Sequence, residues 1–515
     1  MKVFLMHRDK DFDLQGDLPP NADDLMQDLE LNTLFDAMAL GDKFLFDVTK
    51  RAVLQSLNDP EAIAYRQQIL RDCLEHSAIV REIYEIAVEA IQGEKKGWGI
   101  SFGSSPDWIL YSSVRVLELF VGALIKLRHI ADEHGVQFRS EGFVRFFGML
   151  TQELDDEYFR DVQHHLTQLG FRDGTLISAE LGKGNKGTHY VLRRPLYEKQ
   201  SWMCVLGKRV FGKRGPAYSF EIADRDESGA RALSELNGMG INLVANALAQ
   251  STDHILSFFR VLRTELGFYV GCLNLHGQVV RKGEPTCIPV PLDANKPALS
   301  AEGIYDVCLT LRLEAKVVGN DLAADNKELV IITGANEGGK STFLRSIGLA
   351  HLMMQCGMFV AAERFSANVC DGAFTHYKRE EDATMKSGKL DEELSRMSEI
   401  IDHIGPNCIL LCNESFSSTN EREGSEIARQ IIRAVSEAGI KVFLVTHLFD
   451  LAQGFYYQKT DTALFLRAER QIDGRRTFRV VEGEPLPTSY GEDLYKRIFG
   501  TADHAAPQIL LDTRL

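Results

Sequence analysis

The chain has 515 residues, which is too long for one hydrophobic core, so two or three domains are expected. Apolar residues make up 44% and charged residues 25% of it, as in ordinary globular proteins. No stretch comes near the roughly 18 apolar residues that a membrane span needs. The net charge of −15 excludes a protein that is basic over its whole surface, but it leaves room for a local basic groove.

The first residues and the cysteines favour a cytoplasmic protein with no membrane attachment. Residues 1–16 carry Asp and His among few apolar residues, unlike a secretory or mitochondrial signal. The nine cysteines are scattered and form no Cys-x-x-Cys pair, which indicates reduced thiols and no zinc site.

The sequence predicts a multidomain protein with an α-helical first half and an α/β second half. Residues 171–218 are glycine-rich, aromatic and basic, and they predict a small β-rich insert among the helices. Prolines between residues 281 and 297 mark a boundary, after which strands and helices alternate to about residue 500. That alternation predicts a parallel sheet with helices on both faces. The helical patterns of the first half cover residues 24–92, 107–134, 141–169 and 227–266.

The segment Glu328–Thr342 predicts a nucleotide site. It reads as an apolar strand, a glycine-rich turn and a helix start, in the phosphate-binding (Walker A) pattern Gly-x4-Gly-Lys-Ser. Glycines let main-chain N–H groups surround phosphate oxygens, and the helix directs its positive dipole end towards them. Lys340 is expected to reach the β- and γ-phosphates of ATP, and the Ser341 hydroxyl is expected to bind Mg²⁺.

Two later strands also end in polar residues. The strand Cys408–Cys412 is followed by Asn413 and Glu414, where Asn413 is expected to help hold Mg²⁺ and Glu414 to act as the general base. Because Asn413 brings no charge, weaker metal affinity and slow turnover are expected. The strand Lys441–Thr446 is followed by His447, whose imidazole is expected to sense the γ-phosphate.

Taken together, these motifs resemble the MutS family of DNA mismatch-repair ATPases, over about two-fifths of the chain. The resemblance implies an ABC-like ATPase domain over residues 298–515 that pairs head to tail in a homodimer. It also implies a core and lever domain over residues 1–285, with the insert as a DNA-contacting clamp, and it suggests Asn320 and Leu322 as walls of the adenine pocket. The motifs are TGANEGGKST at 333–342, FTH at 374–376, SGK at 387–389, NESFSSTNEREG at 413–424, THLFDLA at 446–452 and TSYG at 488–491.

Pattern and resemblance together give a set of candidate site residues, with ATP and Mg²⁺ as cofactors. The set assigns nucleotide binding to Gly334, Asn336, Gly338, Gly339, Lys340, Ser341 and Thr342, metal binding to Ser341 and Asn413, and catalysis to Glu414 and His447.

Several positions depart from the family pattern. Asn413 replaces the usual Asp, Ala335 and Glu337 replace Pro and Met, and residues 390–392 replace Ser-Thr-Phe after the SGK motif. The family's mismatch-reading domain should precede the core, and its Phe-x-Glu motif occurs nowhere in this sequence. No nuclease-like tail is recognised after the ATPase half. We therefore expect a MutS-like ATPase without the usual mismatch reader.

Residues 183–214 are the strongest candidate for DNA contact. They hold nine basic residues and one acid, a local charge of +8 that leaves −23 on the rest of the chain. Such a concentration is expected of a segment that contacts the phosphate backbone, while aromatic residues among the basic ones could stack on exposed bases. The predicted DNA contacts are Lys183, Lys186, Arg193, Arg194, Lys208, Arg209, Lys213 and Arg214.

The functional hypothesis is a dimeric DNA clamp driven by ATP hydrolysis, which selects DNA by its structure rather than by reading mismatches, and which signals to a downstream protein. Two alternatives stay open. One is a nucleotide-dependent scaffold or switch that acts on a protein partner without DNA. The other is an RNA- or ribosome-associated ATPase that uses the same basic insert.

Overall fold

The computed structural model describes residues 1–97, 105–171, 175–193, 222–223, 225–293, 297–379, 388–471 and 473–487. The chain divides into two compact units. The first unit consists of Met1–Val3, Ala78–Arg139 and Phe143–Arg263, and the second of Phe4–Ser77, Ser140–Gly142 and Thr264–Leu515.

Helices predominate before residue 282, and strands alternate with helices after it. The helices are α1 (Ala22–Asp28), α2 (Leu31–Ala39), α3 (Lys43–Leu54), α4 (Pro60–Glu75), α5 (Ser77–Gly97), α6 (Pro106–His134), α7 (Glu141–Glu153), α8 (Asp156–Leu169), α9 (Glu227–Arg281), α10 (Val307–Arg312), α11 (Lys340–Gln355), α12 (Lys389–His403), α13 (Glu421–Glu437) and α14 (Phe449–Gln458). The strands are β1 (Leu176–Leu181), β2 (Gly187–Arg193), β3 (Val290–Leu292), β4 (Leu299–Ile304), β5 (Asn320–Ala323), β6 (Leu329–Gly334), β7 (Arg364–Asn368), β8 (Ala373–Tyr377), β9 (Ile409–Asn413), β10 (Lys441–Val445), β11 (Ala463–Arg470) and β12 (Arg476–Glu482).

The first unit contains most of α5, all of α6 and α8, most of α7 and the first part of α9, with an antiparallel β1–β2 hairpin. The helical pattern predicted for residues 141–169 is two helices, because Asp155 caps α8 by accepting a hydrogen bond from the Tyr158 N–H at 2.7 Å. Aromatic rings pack in the core. The ring centroids of Phe120 and Phe259, for example, lie 5.4 Å apart. The hairpin is the described part of the predicted insert.

One helix of the first unit corrects an expectation from the sequence. By length and composition alone, the helix Pro106–Gln137 could cross a membrane, although charged residues interrupt its apolar pattern. Half of the most apolar segment of this helix is buried within the fold. Core helices of soluble proteins can be as long and as apolar. It is therefore weak evidence for a membrane span.

The second unit is built on a six-stranded sheet with the strand order β12-β11-β6-β10-β9-β8. Neighbouring strands run parallel from β11 to β8, and only β12 pairs antiparallel, at the edge. The predicted parallel sheet is thus confirmed for five strands. All six residues of β6 are buried, as expected for a central strand covered on both faces.

Helices cover both faces of this sheet. On one face, Ile331 and Leu410 belong to a buried cluster that includes Met397 of α12, Ile432 of α13 and Leu451 of α14. Each such fully buried side chain contributes about 1.5–3 kcal/mol relative to an exposed one. Leu411 points to the other face, where α11 packs so closely that a β-carbon on Gly348 would lie 2.6 Å from Leu411 Cδ1.

The N-terminal residues 4–77 belong to the second unit. Glu265 of α9 accepts hydrogen bonds from the N–H groups of Leu5, Met6 and Phe12 at 2.6, 3.2 and 2.9 Å. The domain boundaries predicted from the sequence, 1–285 and 298–515, stay a prediction, and the compact units divide the chain at other points. A smaller sheet with the order β3-β7-β4-β5 completes the second unit.

Candidate functional site

The three polar strand ends predicted from the sequence meet at one edge of the six-stranded sheet. β10 lies between β6 and β9, with Val445 paired to both Ile332 and Asn413. Because parallel strands end at the same edge, the loops after these strands share one crevice. Glu414, His447 and the glycine-rich loop after Gly334 therefore lie near one another.

Glycines shape the loop between β6 and α11. Gly334 and Gly339 have φ angles of +103° and +87°, a region that residues with a β-carbon rarely adopt. A β-carbon on Gly338 would lie 2.7 Å from the Ala468 side chain of β11. The loop thus lies against its neighbouring strand in a backbone conformation that glycines permit, as a phosphate cradle requires.

Lys340, the first residue of α11, lies across this loop. Its buried side chain donates hydrogen bonds from Nζ to the carbonyl oxygens of Gly334 at 3.1 Å and Ala335 at 2.9 Å. Burial lowers the pKa of the Lys340 ammonium to about 8, against the opposing effect of Glu414, and the nearby Arg476 lowers it further. The ammonium group is therefore fixed beside the glycine-rich loop.

Ser341 and Asn413 come together although 72 residues separate them in the chain. The Ser341 hydroxyl donates a hydrogen bond to Asn413 Oδ1 at 2.8 Å. Two neighbouring oxygen atoms suit Mg²⁺, which prefers oxygen ligands and takes the rest from water and phosphate. Elsewhere in the described residues, no cluster of three or more His, Cys, Asp or Glu could hold a metal ion.

Glu414 and His447 form a pair at the same strand edge. His447 Nε2 lies 2.9 Å from Glu414 Oε1, so the imidazole N–H donates to the carboxylate. This hydrogen bond is the largest cause that lowers the pKa of the Glu414 carboxyl. Glu414 is therefore ionised at neutral pH, as a proton acceptor must be.

A small cavity of about 300 Å³ adjoins this pair. Gly334, Glu421, His447 and Pro487 are among the residues that line it. Glu421, the first residue of α13, accepts a hydrogen bond from the Phe449 N–H at 3.0 Å, which fixes the loop that carries His447. The cavity leaves space beside the glycine-rich loop for groups of phosphate size.

A larger cavity of about 420 Å³ lies on the other side of the loop. Of the two adenine-pocket walls suggested from the sequence, Asn320 lines this cavity. Asn320 Oδ1 accepts a hydrogen bond from the Val480 N–H at 2.7 Å, and its amide donates to the Phe478 carbonyl at 3.3 Å. Leu322, the other suggested wall, is buried and is not among the lining residues. The lining includes Leu313, Val318, Asn320, Thr342, Phe343 and Phe478.

Two residues of β12 complete the site and were not predicted. The half-exposed Phe478 lines the larger cavity, and its Cα lies 3.6 Å from where a β-carbon on Gly339 would be. Arg476 Nε donates a hydrogen bond to the Asn336 carbonyl at 3.0 Å, inside the glycine-rich loop. No motif marks either residue, and the pairing of β12 with β11 and the hydrogen bonds of Asn320 hold them at the loop.

The predicted DNA contacts are only partly described. Lys183, Lys186 and Arg193 are exposed on the β1–β2 hairpin, where Arg193 Nε donates to Ser178 Oγ at 2.8 Å. The other five predicted contacts, Arg194, Lys208, Arg209, Lys213 and Arg214, lie outside the described residues.

Two family models match the chain. The model of the MutS2 N-terminal domain matches residues 58–282, and that of MutS domain V matches residues 330–499. The second match contains the glycine-rich loop, Asn413, Glu414 and His447.

Curated relatives match over little more than a third of the chain. An "Endonuclease MutS2" of Lacticaseibacillus casei is 30% identical over 200 residues, which is 37% of this chain and 25% of the relative. A "DNA mismatch repair protein MutS" of Thermotoga sp. is 31% identical over 187 residues, 36% of this chain and 24% of the relative. The matched part spans about a quarter of these relatives' length. With both family models matched and these residues in place, the chain belongs to the MutS family.

Proposed function

We propose that this protein binds DNA under the control of ATP, as in MutS-type mismatch repair, and that it hydrolyses ATP at the site described above. The observation that carries the proposal is the arrangement at one strand edge: Lys340 on the glycine-rich loop, Ser341 beside Asn413, and Glu414 beside His447. The names of the relatives, one a mismatch-repair protein, support the connection with DNA.

The nucleotide lies with its phosphates on the loop from Gly334 to Thr342, where main-chain N–H groups and the start of α11 attract negative charge. Its base enters the larger cavity, where Phe478 offers a ring for stacking. Asn320 holds Phe478 in place through the main chain of β12. Gly338 and Gly339 give the loop its shape, and Asn336 belongs to the same loop.

Hydrolysis follows from the residues at the strand ends. Glu414 accepts a proton from the attacking water, and His447 orients the carboxylate and contacts the γ-phosphate side of the crevice. Lys340 places its positive charge against the β- and γ-phosphates. When bound by Ser341 and Asn413, Mg²⁺ would supply further positive charge to the phosphoryl group. Because Asn413 is neutral, the protein's own contribution to metal affinity is small.

The finer layout is also part of this proposal. Residues 298–515 form an ABC-like ATPase domain that pairs with a second copy, and residues 1–285 form a core and lever domain. The insert over residues 171–218 contacts the DNA backbone through its basic side chains. Nucleotide and DNA then change each other's affinity reciprocally, since each binds one arrangement of the dimer more tightly.

A nucleotide-dependent switch that acts on a protein partner is the second candidate. The neutral Asn413 favours it, because slow turnover suits a switch better than a motor. DNA binding by the purified protein separates the two functions.

The hydrolytic site is tested by measuring MgATP affinity and ATP hydrolysis for the wild type and three variants. Lys340→Ala should weaken MgATP binding, and Glu414→Gln should retain binding but lose hydrolysis by about a hundredfold or more. Lys441→Met is the matched control, because burial also lowers the pKa of Lys441 to about 8, at the far end of β10 from His447. Hydrolysis by Glu414→Gln at the wild-type rate would contradict the proposed role.

A further inference from the structure

The loop that follows β9 has an unusual backbone. Glu414 and Phe416 have φ angles of +56° and +61°, in the left-handed region that side chains with a β-carbon rarely adopt. Such conformations persist only where the surrounding structure holds them, and they concentrate at functional sites. The Glu414 carboxylate therefore depends on contacts made by the residues next to it.

The first contact joins this loop to β8. The Ser415 hydroxyl lies 2.7 Å from Nδ1 of His376 and 2.8 Å from the main-chain carbonyl oxygen of the same residue. Both side chains are fully enclosed, and the His376 ring stacks on Phe416 with centroids 5.3 Å apart. His376 thus contacts the two residues that follow Glu414, namely Ser415 and Phe416.

The second contact joins the loop to α12. The Ser418 hydroxyl donates a hydrogen bond to Glu393 Oε1 at 2.7 Å, and Glu393 is 2% exposed. The main-chain carbonyl of Glu393 lies 2.9 Å from His376 Nε2. A carbonyl oxygen can only accept, so Nε2 carries the proton of the neutral ring and Nδ1 is an acceptor. The single Ser415 hydroxyl proton is then shared between Nδ1 and the His376 carbonyl oxygen. One continuous set of hydrogen bonds, buried except at the partly exposed Ser418, therefore links β8, α12 and the loop.

We infer that Glu393 and His376 are positioning residues for Glu414, acting through Ser418 and Ser415. The inference rests on the proposed ATP hydrolysis and names the residues that hold its general base in place. Among the described residues, the side chains of these four, the clasp, form no hydrogen bond with the glycine-rich loop or with the Ser341–Asn413 pair. They therefore affect the position of the carboxylate rather than the binding of nucleotide.

The burial of Glu393 and His376 supports a role for the clasp beyond packing. A buried carboxylate costs free energy unless it is well bonded, and Glu393 Oε2 has no hydrogen-bond partner among the described residues. Burial and, next, the charge of Arg396 lower the pKa of His376 to about 4, so the ring is neutral at physiological pH and available as an acceptor. Two apolar side chains in place of Glu393 and His376 would cost less free energy to bury, but they could not form the hydrogen bonds that hold the loop after β9.

The test separates binding from hydrolysis. For Ser418→Ala, Glu393→Leu and Glu393→Gln in the full chain, we would measure the MgATP dissociation constant and the single-turnover hydrolysis rate. Ser418→Ala and Glu393→Leu should slow hydrolysis by about tenfold to a hundredfold, since a misplacement of about 1 Å costs this much. MgATP affinity should stay within about twofold of wild type. Glu393→Gln keeps the acceptor oxygen and should restore most of the rate.

A control variant separates positioning from general stability. Thr49 is fully buried in the same unit and donates its hydroxyl to the Leu45 carbonyl at 2.8 Å, so Thr49→Val also loses one buried hydrogen bond. It should lower the melting temperature without a selective loss of hydrolysis. The double variant Ser418→Ala with Glu393→Leu should be no slower than the slower single variant, because both remove the same contact.

Three results would overturn the inference: wild-type hydrolysis in Ser418→Ala and Glu393→Leu, equal loss of binding and hydrolysis, or no rescue by Glu393→Gln. The proposed function fails by a different observation, namely a wild type that does not bind MgATP or a Glu414→Gln variant that hydrolyses it normally. If the wild type hydrolyses ATP, Glu414→Gln does not, and the clasp variants behave like the wild type, the inference fails and the proposed function stands.

Discussion

The pKa of Lys340 predicts that the protein takes up protons when it binds MgATP. In the nucleotide-free protein, burial places the pKa of this ammonium at about 8, so the side chain is partly neutral above that pH. Phosphate oxygens favour the charged form and raise the pKa. MgATP binding at pH 8.5 should therefore take up roughly half a proton or more, and almost none at pH 6.5.

Calorimetric titrations in two buffers of different ionisation enthalpy measure this uptake. Lys441→Met should preserve it, because Lys441 lies at the opposite end of β10. Equal uptake at both pH values would show that phosphate does not meet the Lys340 ammonium.

Asn413 stands where the family resemblance leads us to expect an aspartate. Its amide oxygen already accepts from Ser341, so Asn413→Asp would add a negative charge without moving the group. A carboxylate binds Mg²⁺ more strongly than an amide, and the Mg²⁺ concentration for half-maximal hydrolysis should fall by about tenfold. Titration of the ATPase rate with Mg²⁺ tests this, and an unchanged midpoint would mean that Asn413 does not face the metal.

Glu265 links stability to pH. Burial raises the pKa of its carboxyl from 4.5 to about 7, despite three main-chain N–H donors that lower it. Because this pKa is higher in the folded than in the unfolded protein, proton binding at Glu265 stabilises the fold. This stabilisation is full below about pH 4.5 and is lost as the pH rises through 7. The loss is about 3 kcal/mol.

Melting temperatures measured from pH 4.5 to pH 8 test this at Glu265. The wild type should lose several degrees relative to Glu265→Gln over that range. A constant difference between the two proteins would contradict the raised pKa.

At the scale of elements, β12 contributes the aromatic ring of Phe478 to the larger cavity, which is the proposed site of the nucleotide base. Phe478→Ala should weaken ATP and ADP binding equally, by about tenfold, because stacking acts on the base that both share. Phe478→Tyr should bind normally. Tyr457→Ala, which removes an exposed ring on α14, is the control. If nucleotide affinity is unchanged in Phe478→Ala, the base does not enter this cavity.

The sequence predicted the polar strand ends but not the cavity, and the reason is physical. Gly334, Asn413 and His447 each follow a short apolar run, and parallel strands must bring such ends together. The cavity instead combines residues 313–318, β5 and β12, whose pairing across 160 residues leaves no periodic signal. The antiparallel direction of β12 was likewise not apparent from its composition.

The same limit applies to buried polar contacts. FTH was recognised as a motif, but His376 gave no sign that it meets Ser415 and Glu393, because these contacts depend on how β8, α12 and the loop pack. Hydrogen bonds between distant segments follow from tertiary structure, whereas strand ends follow from local pattern.

At the scale of the whole molecule, the chain combines residues of both halves in one compact unit. Arg66 of α4 donates to the carbonyls of Met6 at 2.8 Å and Cys356 at 3.3 Å, so N-terminal residues contact the end of the helix that begins at Lys340. The sequence placed these residues in a separate domain. Helical periodicity identifies a helix but not which sheet it packs against.

The central claim is that nucleotide state controls DNA binding, and equilibrium binding measures it most directly. Dissociation constants would be measured for perfect duplex, mismatched duplex, a four-way junction and single strand, with ATP and with ADP, at two salt concentrations. Glu414→Gln would hold the ATP state, and a variant with Lys183, Lys186 and Arg193 changed to Gln would test the described hairpin. We expect salt-sensitive binding to at least one DNA, about fivefold or more different between nucleotides, and weaker in the hairpin variant. No binding at low salt, or equal affinity with ATP and ADP, would contradict the account.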